Sequence, residues 1–214
     1  MRKPLFLSIL LLNLFGLSAE AAPVLDQDFV PADPDGYAVL GPLTRAQTFT
    51  VGAEGLLSRF EVLISASDPD SRLFEIHPTV AGVPVFGSTA LASAVVTYGG
   101  NEDPAFYGAN VSSFSILVSP GDVLAIVDAG QGSDSSAAWW TGSSHGNHYA
   151  DGEFSTTVYT GSPIVISSAY SPQTGSDLGF RTYIDNSGPA CIPAPGALLL
   201  LGIGLVCTAS RRLR

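Results

Sequence analysis

Residues 119–127 have the sequence Ser-Pro-Gly-Asp-Val-Leu-Ala-Ile-Val, and this stretch decides the fold class. Its first four residues favour a tight turn, because proline fixes φ and glycine accepts positive φ. The five residues that follow form a continuous apolar run, which is typical of a strand buried on both faces. A turn followed directly by a short buried strand indicates a β-protein.

The same pattern recurs along the chain. Residues 46–51 alternate between polar and apolar side chains, and residues 57–64 carry β-branched and aromatic side chains between glycine and a turn. The other predicted strands are residues 73–77, 91–98, 111–118, 123–127, 137–141, 164–168 and 178–184. In the last of these, the spacing of Leu178, Phe180 and Tyr183 predicts a bulge or a switch of face. Many short strands without a long helical stripe predict an all-β fold, an antiparallel β-sandwich or jelly-roll-like single domain over residues 45–185.

The residues just outside this domain are predicted to be irregular. Residues 23–44 contain Pro31, Pro34 and Pro42, which lack the amide hydrogen that strand pairing uses. We therefore expect a loosely ordered lead-in before the domain. Residues 186–191 are predicted to form a linker to the C-terminal tail.

Composition excludes several classes of protein. The chain has 214 residues, of which 46% are hydrophobic and 13% charged, with 23 Gly and 15 Pro. The apolar content argues against a disordered chain, and the Gly and Pro content argues against a helical bundle. Residues 23–189 contain four arginines, no lysine and eighteen acidic residues, for a net charge of −14. Such a body does not bind the phosphate backbone of nucleic acids.

The N-terminus has the pattern of a secretory signal peptide over residues 1–22. Arg2 and Lys3 precede an apolar run that is too short for an ordinary spanning helix. The small residues Ala19, Ala21 and Ala22 then place cleavage after Ala21 or Ala22. An uncleaved N-terminal helix that anchors the chain is the alternative.

The C-terminal tail, residues 192–214, has three parts. Pro193-Ala194-Pro195 is followed by the apolar residues 197–210, which as a helix would span about 21 Å. This segment is apolar enough to predict a transmembrane helix. The helix would be short, because about 21 Å is less than the roughly 30 Å thickness of the hydrocarbon core. The final residues Arg211, Arg212 and Arg214 are expected to stay cytoplasmic, which leaves the preceding domain outside the inner membrane.

This tail resembles the PEP-CTERM sorting signal, which combines a Pro-x-Pro motif, a short Leu/Gly-rich span and a terminal arginine cluster. The family usually has Glu at the middle position of the motif, where this chain has Ala194. The resemblance covers the tail alone. It implies a Gram-negative type of bacterium in which an exosortase cleaves near the motif and the protein passes to the cell envelope or extracellular matrix. A permanent membrane anchor is the alternative.

The body is predicted to fold without a disulfide. The two cysteines, Cys191 and Cys207, both lie beyond it, and in a helix they would stand about 24 Å apart. The domain therefore depends on its apolar core, for which its length is sufficient.

Calcium is the metal that the sequence favours. Asp33 and Asp35, like Asp68 and Asp70, place carboxylates two residues apart on tight turns, where hard oxygen ligands can converge. Ordinary Asp-Pro-Asp turns are the alternative. The histidines His145 and His148 are expected to lie in a polar surface loop, because no third nitrogen or sulfur ligand accompanies them.

Aromatic residues suggest a ligand surface at Trp139, Trp140 and Tyr149. Indole rings beside carboxylates can stack on sugars, but adjacent residues of a strand point to opposite faces, so one tryptophan is expected in the core.

The Gly-x-Ser-x-Gly match around Ser144 does not predict a hydrolase, because a turn-rich segment follows where that motif needs a helix.

The sequence therefore predicts a noncatalytic exported protein of the cell envelope or extracellular matrix. Its expected partners are an exosortase-type processing enzyme and the inner membrane, with exopolysaccharide as a further partner. The alternative is a carbohydrate-binding module with a structural calcium site; no other cofactor is expected.

Overall fold

The computed structural model describes residues 22–32, 35–39, 43–85, 88–129, 138–143, 149–160, 165–166, 171–172 and 176–187. Within these ranges the regular elements are sixteen strands and one 3-10 helix at Ser112–Phe114. The strands are β1 (Val24–Phe29), β2 (Asp35–Val39), β3 (Leu43–Thr50), β4 (Gly55–Ala66), β5 (Asp70–Val80), β6 (Val83–Pro84), β7 (Ala92–Tyr98), β8 (Asn101–Asn110), β9 (Leu117–Val118), β10 (Val123–Asp128), β11 (Ala138–Ser143), β12 (Phe154–Thr160), β13 (Val165–Ile166), β14 (Ser171–Pro172), β15 (Asp177–Leu178) and β16 (Phe180–Asp185). The predicted all-β character is confirmed.

The strands form two antiparallel sheets. The first sheet has the order β1-β16-β4-β11-β15, with β2 beside β11 and with β8 and β9 beside β4. The second sheet has the order β13-β12-β3-β10-β5-β6, with β14 beside β12 and β7 beside β5. The buried strand predicted from the apolar run is β10, which pairs with β3 and β5 on its two sides. Its turn also forms as predicted: the Asp122 amide donates to the Ser119 carbonyl over 3.0 Å, and Gly121 has a φ of 93°.

Aromatic side chains hold the two sheets together. Phe74 of the second sheet packs against Phe60 and Trp140 of the first, with ring centroids 6.3 Å and 5.3 Å away. Phe49 and Phe180 make a second contact between the sheets, at 5.9 Å. All five side chains are fully buried. Rings of this size remove a large apolar area from water, which supplies the main stabilising contribution in a domain whose body has no cysteine.

A polar bridge also joins the sheets. Gln47 of β3 donates its amide to the Asp177 carboxylate over 2.9 Å and accepts the Leu178 amide hydrogen over 2.8 Å. Gln47 and Asp177 are both buried. Because buried polar groups are costly when unpaired, these bonds fix β3 of one sheet against β15 of the other.

A buried ion pair lies within the second sheet. Arg72 of β5 donates from Nε and Nη2 to the two carboxylate oxygens of Asp128 in β10, over 2.5 Å and 2.8 Å. The side chains are 4% and 0% exposed. Removal of one partner would leave a charge in the interior without this bidentate contact.

We predict that Arg72→Met lowers the free energy of unfolding by about 3–5 kcal/mol, because it leaves the Asp128 carboxylate buried without its bidentate partner. Urea unfolding followed by tryptophan fluorescence measures the loss. The matched control is Arg59→Met, whose side chain is 50% exposed and whose ion pair should contribute at most about 1 kcal/mol. Equal losses in the two variants would contradict the assignment of Arg72 to the core.

The expectation of a loosely ordered lead-in is wrong for the described part of residues 23–44. β1 pairs with β16 over Val24–Phe29, and β2 pairs with β11. In the sequence, the three prolines lie between the strands β1, β2 and β3 and not within them. The register of β1 sets Val24 opposite Ile184, so the start of β1 lies beside the end of β16.

Three other regions differ from the sequence prediction. Residues 111–118 do not form one strand: the 3-10 helix Ser112–Phe114 and Ser115, with a φ of 54°, interrupt it, and the two-residue strand β9 remains. β8 and β12 were not predicted, because β8 opens with polar residues and a proline, and β12 is rich in Ser and Thr.

The irregularity predicted for the last strand is present, since Gly179 separates β15 from β16 and the register shifts after Tyr183.

The predicted terminal helices, over residues 1–22 and 192–214, lie outside the described residues apart from Ala22, as does most of the predicted linker. Across the ranges that the structure describes, no helix has the length and apolar character needed to cross a bilayer.

Candidate functional site

Trp140 is the member of the tryptophan pair that belongs to the core. Its side chain is fully buried, and its indole Nε1 donates to the Gly179 carbonyl over 2.9 Å. Trp139 takes the adjacent position in β11, where its backbone is opposite Ser65 and Val39. The Trp139 side chain is outside the described part of the structure, so its role in ligand binding stays a prediction.

Tyr149 is built into the edge of the core. Its ring packs against Phe29 and Phe180 at centroid distances of 6.0 Å and 5.0 Å. Its hydroxyl donates to Gln27 Oε1 over 2.6 Å, and its amide donates to Asp177 Oδ2 over 3.0 Å. Burial raises the pKa of Tyr149 to about 12, and nearby carboxylates contribute in the same direction. These contacts assign it a structural role beside β1, β15 and β16 of the first sheet.

The raised pKa predicts a loss of stability in alkaline solution. A tyrosine whose folded-state pKa exceeds its unfolded value stabilises the fold fully below the unfolded value, and this contribution is lost as pH rises through the folded one. For Tyr149 the window runs from pH 10 to about 12. Because the ring is only half-buried, solvent screening reduces the loss to about 1 kcal/mol. The measurement compares urea unfolding of the protein and Tyr149→Phe at each pH. Their difference in stability should shrink across this window, and a constant difference would contradict the prediction.

The described calcium candidates do not form a cluster. Asp68 and Asp70 are exposed, and Asp70 Oδ1 accepts the Ser71 amide hydrogen over 2.7 Å. Asp33 lies outside the described residues, and Asp35 is described in its backbone only. Among the described residues, no three His, Cys, Asp or Glu side chains converge on one point. Calcium binding therefore stays a prediction.

Other sequence candidates also fall outside the description. They are Ser144, whose motif is described only at Gly142 and Ser143 of β11, with His145 and His148, and the sorting-signal residues Pro193, Ala194, Pro195, Arg211, Arg212 and Arg214.

A serine, a histidine and a glutamate do meet on the second sheet. His77 Nδ1 lies 3.2 Å from Ser88 Oγ, and His77 Nε2 lies 2.8 Å from Glu75 Oε2. The Ser88 hydroxyl, however, donates to the Val85 carbonyl over 2.8 Å. The hydroxyl has a single hydrogen, so its bond to the Val85 carbonyl and a bond donated to His77 Nδ1 exclude each other. The contact between His77 of β5 and Ser88 ties the residues that follow β6 to the second sheet.

We predict that a fluorophosphonate probe, which reacts with activated serines, leaves Ser88 unlabelled. The reason is that the Ser88 proton is directed to a backbone carbonyl and not to His77. Mass spectrometry after incubation with the probe measures labelling, and Ser88→Ala is the matched control. Labelling that disappears in this variant would show that Ser88 is a nucleophile.

The most concentrated polar contacts on the outer face of the first sheet surround Glu61. Arg59 Nη2 donates to Glu61 Oε1 over 2.5 Å, and the Tyr183 hydroxyl donates to Glu61 Oε2 over 2.8 Å. Arg181 Nη1 lies 3.9 Å from the same Oε2. We call the set Arg59, Glu61, Tyr183 and Arg181, with Asp28 and Phe106, the Glu61 cluster.

Arg181 links the remaining members of the Glu61 cluster. Its Nε donates to Asp28 Oδ1 over 2.9 Å, and its guanidinium lies 3.8 Å from the centroid of the Phe106 ring. A cation over an aromatic ring is attracted by the ring quadrupole, which stabilises the guanidinium in this position. Burial and the bond to Glu61 raise the pKa of Tyr183, so its hydroxyl stays a donor at neutral pH.

The positive charges of the body divide into two pairs. Arg45 and Arg72 are buried. The side chains of Arg59 and Arg181 are 50% and 30% exposed, and both belong to the Glu61 cluster. All the exposed arginine surface of residues 23–189 is therefore on one face of one sheet.

Sequence reasoning did not identify the Glu61 cluster. The signal available was alternation: Arg59 and Glu61 are two apart in β4, and Arg181 and Tyr183 are two apart in β16. Alternation places each pair on one face of its strand. It does not predict that strands more than a hundred residues apart in sequence are neighbours, which the register of β4 and β16 supplies.

No family model matches this chain, and no similar sequence is found among the curated proteins.

Proposed function

We propose that the protein is a noncatalytic component of the cell envelope or extracellular matrix. The observation that carries the proposal is the contrast between the ends and the body. Apolar segments with terminal cations flank a body with a net charge of −14, four arginines and no cysteine. In this proposal the N-terminal segment directs export, and the C-terminal segment holds the exported chain at the inner membrane.

In this proposal the tail resembling a PEP-CTERM signal acts after export. The short span arrests in the membrane with Arg211, Arg212 and Arg214 on the cytoplasmic side, and an exosortase-type enzyme cleaves near Pro195. The body supports this role because it builds a continuous core between two sheets without a disulfide. Its excess of acidic residues favours solubility by self-repulsion.

Mass spectrometry of the full chain from cytosol, membrane, envelope and medium of its host tests this proposal. We expect a mature N-terminus at Ala22 or Pro23 and a C-terminus near Pro195, because both apolar ends are removed in transit. Replacement of the three terminal arginines by serine should leave uncleaved chain, and Arg59→Ser is the matched control. An intact 214-residue chain in the cytosol would contradict export, and an intact Arg214 in the membrane fraction would favour the permanent anchor.

The second candidate function is exopolysaccharide binding, and the Glu61 cluster is the observation that favours it. Exposed guanidinium and carboxylate groups beside aromatic rings offer both donors and acceptors to sugar hydroxyls. The structural calcium site of this alternative would involve Asp33, Asp35, Asp68 and Asp70. Thermal unfolding in calcium and in EDTA tests it, since a bound ion raises the melting temperature.

A further inference from the structure

We propose that the Glu61 cluster is a saccharide-binding surface and that its ligand is a neutral polysaccharide. This inference rests on the second proposed function, exopolysaccharide binding. It places the site on β1, β4, β8 and β16, and not at the predicted residues Trp140 and Tyr149, whose contacts commit them to the core.

The charge of the cluster favours a neutral ligand. Arg59 and Arg181 are balanced by Glu61 and Asp28 within ion-pair distance. The cluster therefore has no net formal charge, and it is part of a body with a net charge of −14. An anionic polymer would gain little at the cluster and would be repelled by the surrounding surface. A neutral chain avoids that repulsion.

The exposed groups of the cluster match the hydroxyls of a sugar. The Arg181 and Asp28 side chains are 30% and 38% exposed and hydrogen-bonded to each other, so a donor and an acceptor stand side by side. Two neighbouring hydroxyls of a sugar ring can donate to the carboxylate and accept from the guanidinium at the same time. Arg59, with half of its side chain exposed, offers a second set of donors nearby.

The cluster is held in place before a ligand arrives. The Glu61 side chain is only 9% exposed and accepts from Arg59 and Tyr183, so it acts as a positioning group and not as the contact itself. The Phe106 ring lies 3.8 Å from the Arg181 guanidinium and stabilises its position. Groups that are already ordered lose little entropy on binding, which raises affinity for a ligand with weak individual contacts.

Gly108 gives the cluster its close packing. It is opposite Glu61 in the pairing of β4 with β8, and a Cβ there would lie 2.6 Å from Glu61 Cγ and 2.4 Å from the Phe60 carbonyl oxygen. The stem of Glu61 therefore lies over a position without a side chain. The members of the Glu61 cluster are mainly polar planar groups, whereas the centre of a protein–protein interface is usually apolar.

Affinity electrophoresis of the full-length protein in mild detergent tests the inference. The gels contain dextran, a soluble β-glucan or cellulose ether as neutral probes, or polygalacturonate as an acidic probe. We expect retardation by at least one neutral probe, unchanged between low and high salt because no net charge is involved. Arg181→Ala should weaken the binding of that probe about tenfold or more. Tyr183→Phe removes only the hydrogen bond to Glu61 and should weaken binding about threefold.

The matched control is Val95→Ala, on the second sheet, whose side chain is 59% exposed and should not affect binding. Circular dichroism shows whether each variant is folded. If Arg181→Ala does not fold, the binding of Tyr183→Phe decides the test. Retardation by no neutral probe, salt-sensitive retardation by polygalacturonate alone, or equal binding by Tyr183→Phe and the parent would overturn the inference. Because the assay uses purified protein, its failure leaves the export proposal to be judged by the termini of the mature chain.

Discussion

Phe74 lies between Phe60 and Trp140 of the opposite sheet, and the rest of the fold depends on this contact. β4 and β5 are consecutive in the chain and lie in opposite sheets, and β11 follows much later in the sequence, so the contact fixes which faces of the two sheets meet. A body without cysteine has no covalent link between its sheets, and packing therefore has to supply the connection. The Gln47–Asp177 bridge then sets the relative position of the sheets at one side.

The arginines show how scarce positive charge is used in an acidic body. Arg72 is paired inside with Asp128, and Arg45 is opposite Asp128 in the β3–β10 ladder. These residues serve the interior of the second sheet. Arg59 and Arg181 are on the outer face of the first sheet, where Glu61 and Asp28 balance them. The inner pair contributes to folding, whereas the outer pair creates the one face whose groups are arranged for recognition in our proposal.

The sequence predicts strand identity well where burial is strong and poorly where it is weak. The apolar runs of β4 and β10 are recognisable locally, and so is the turn at Gly121. β8 is not, because its pairing partner β4 overrides a polar opening and a proline. The prolines between β1, β2 and β3 led to the prediction of an irregular lead-in, because composition alone does not show where strands begin and end. The Glu61 cluster needs the pairing of β4 with β16, which is a long-range property that no local pattern contains.

The antiparallel register of β1 and β16 has a mechanical consequence. Because Val24 is opposite Ile184, a force applied through the two ends of the body pulls both strands apart from the same corner. Hydrogen bonds loaded in this geometry break one after another, like a zipper, whereas bonds loaded in shear resist together. A chain that is attached through one end alone carries no such load. Cleavage of the N-terminal or the C-terminal segment would therefore prevent this force from separating β1 from the sheet.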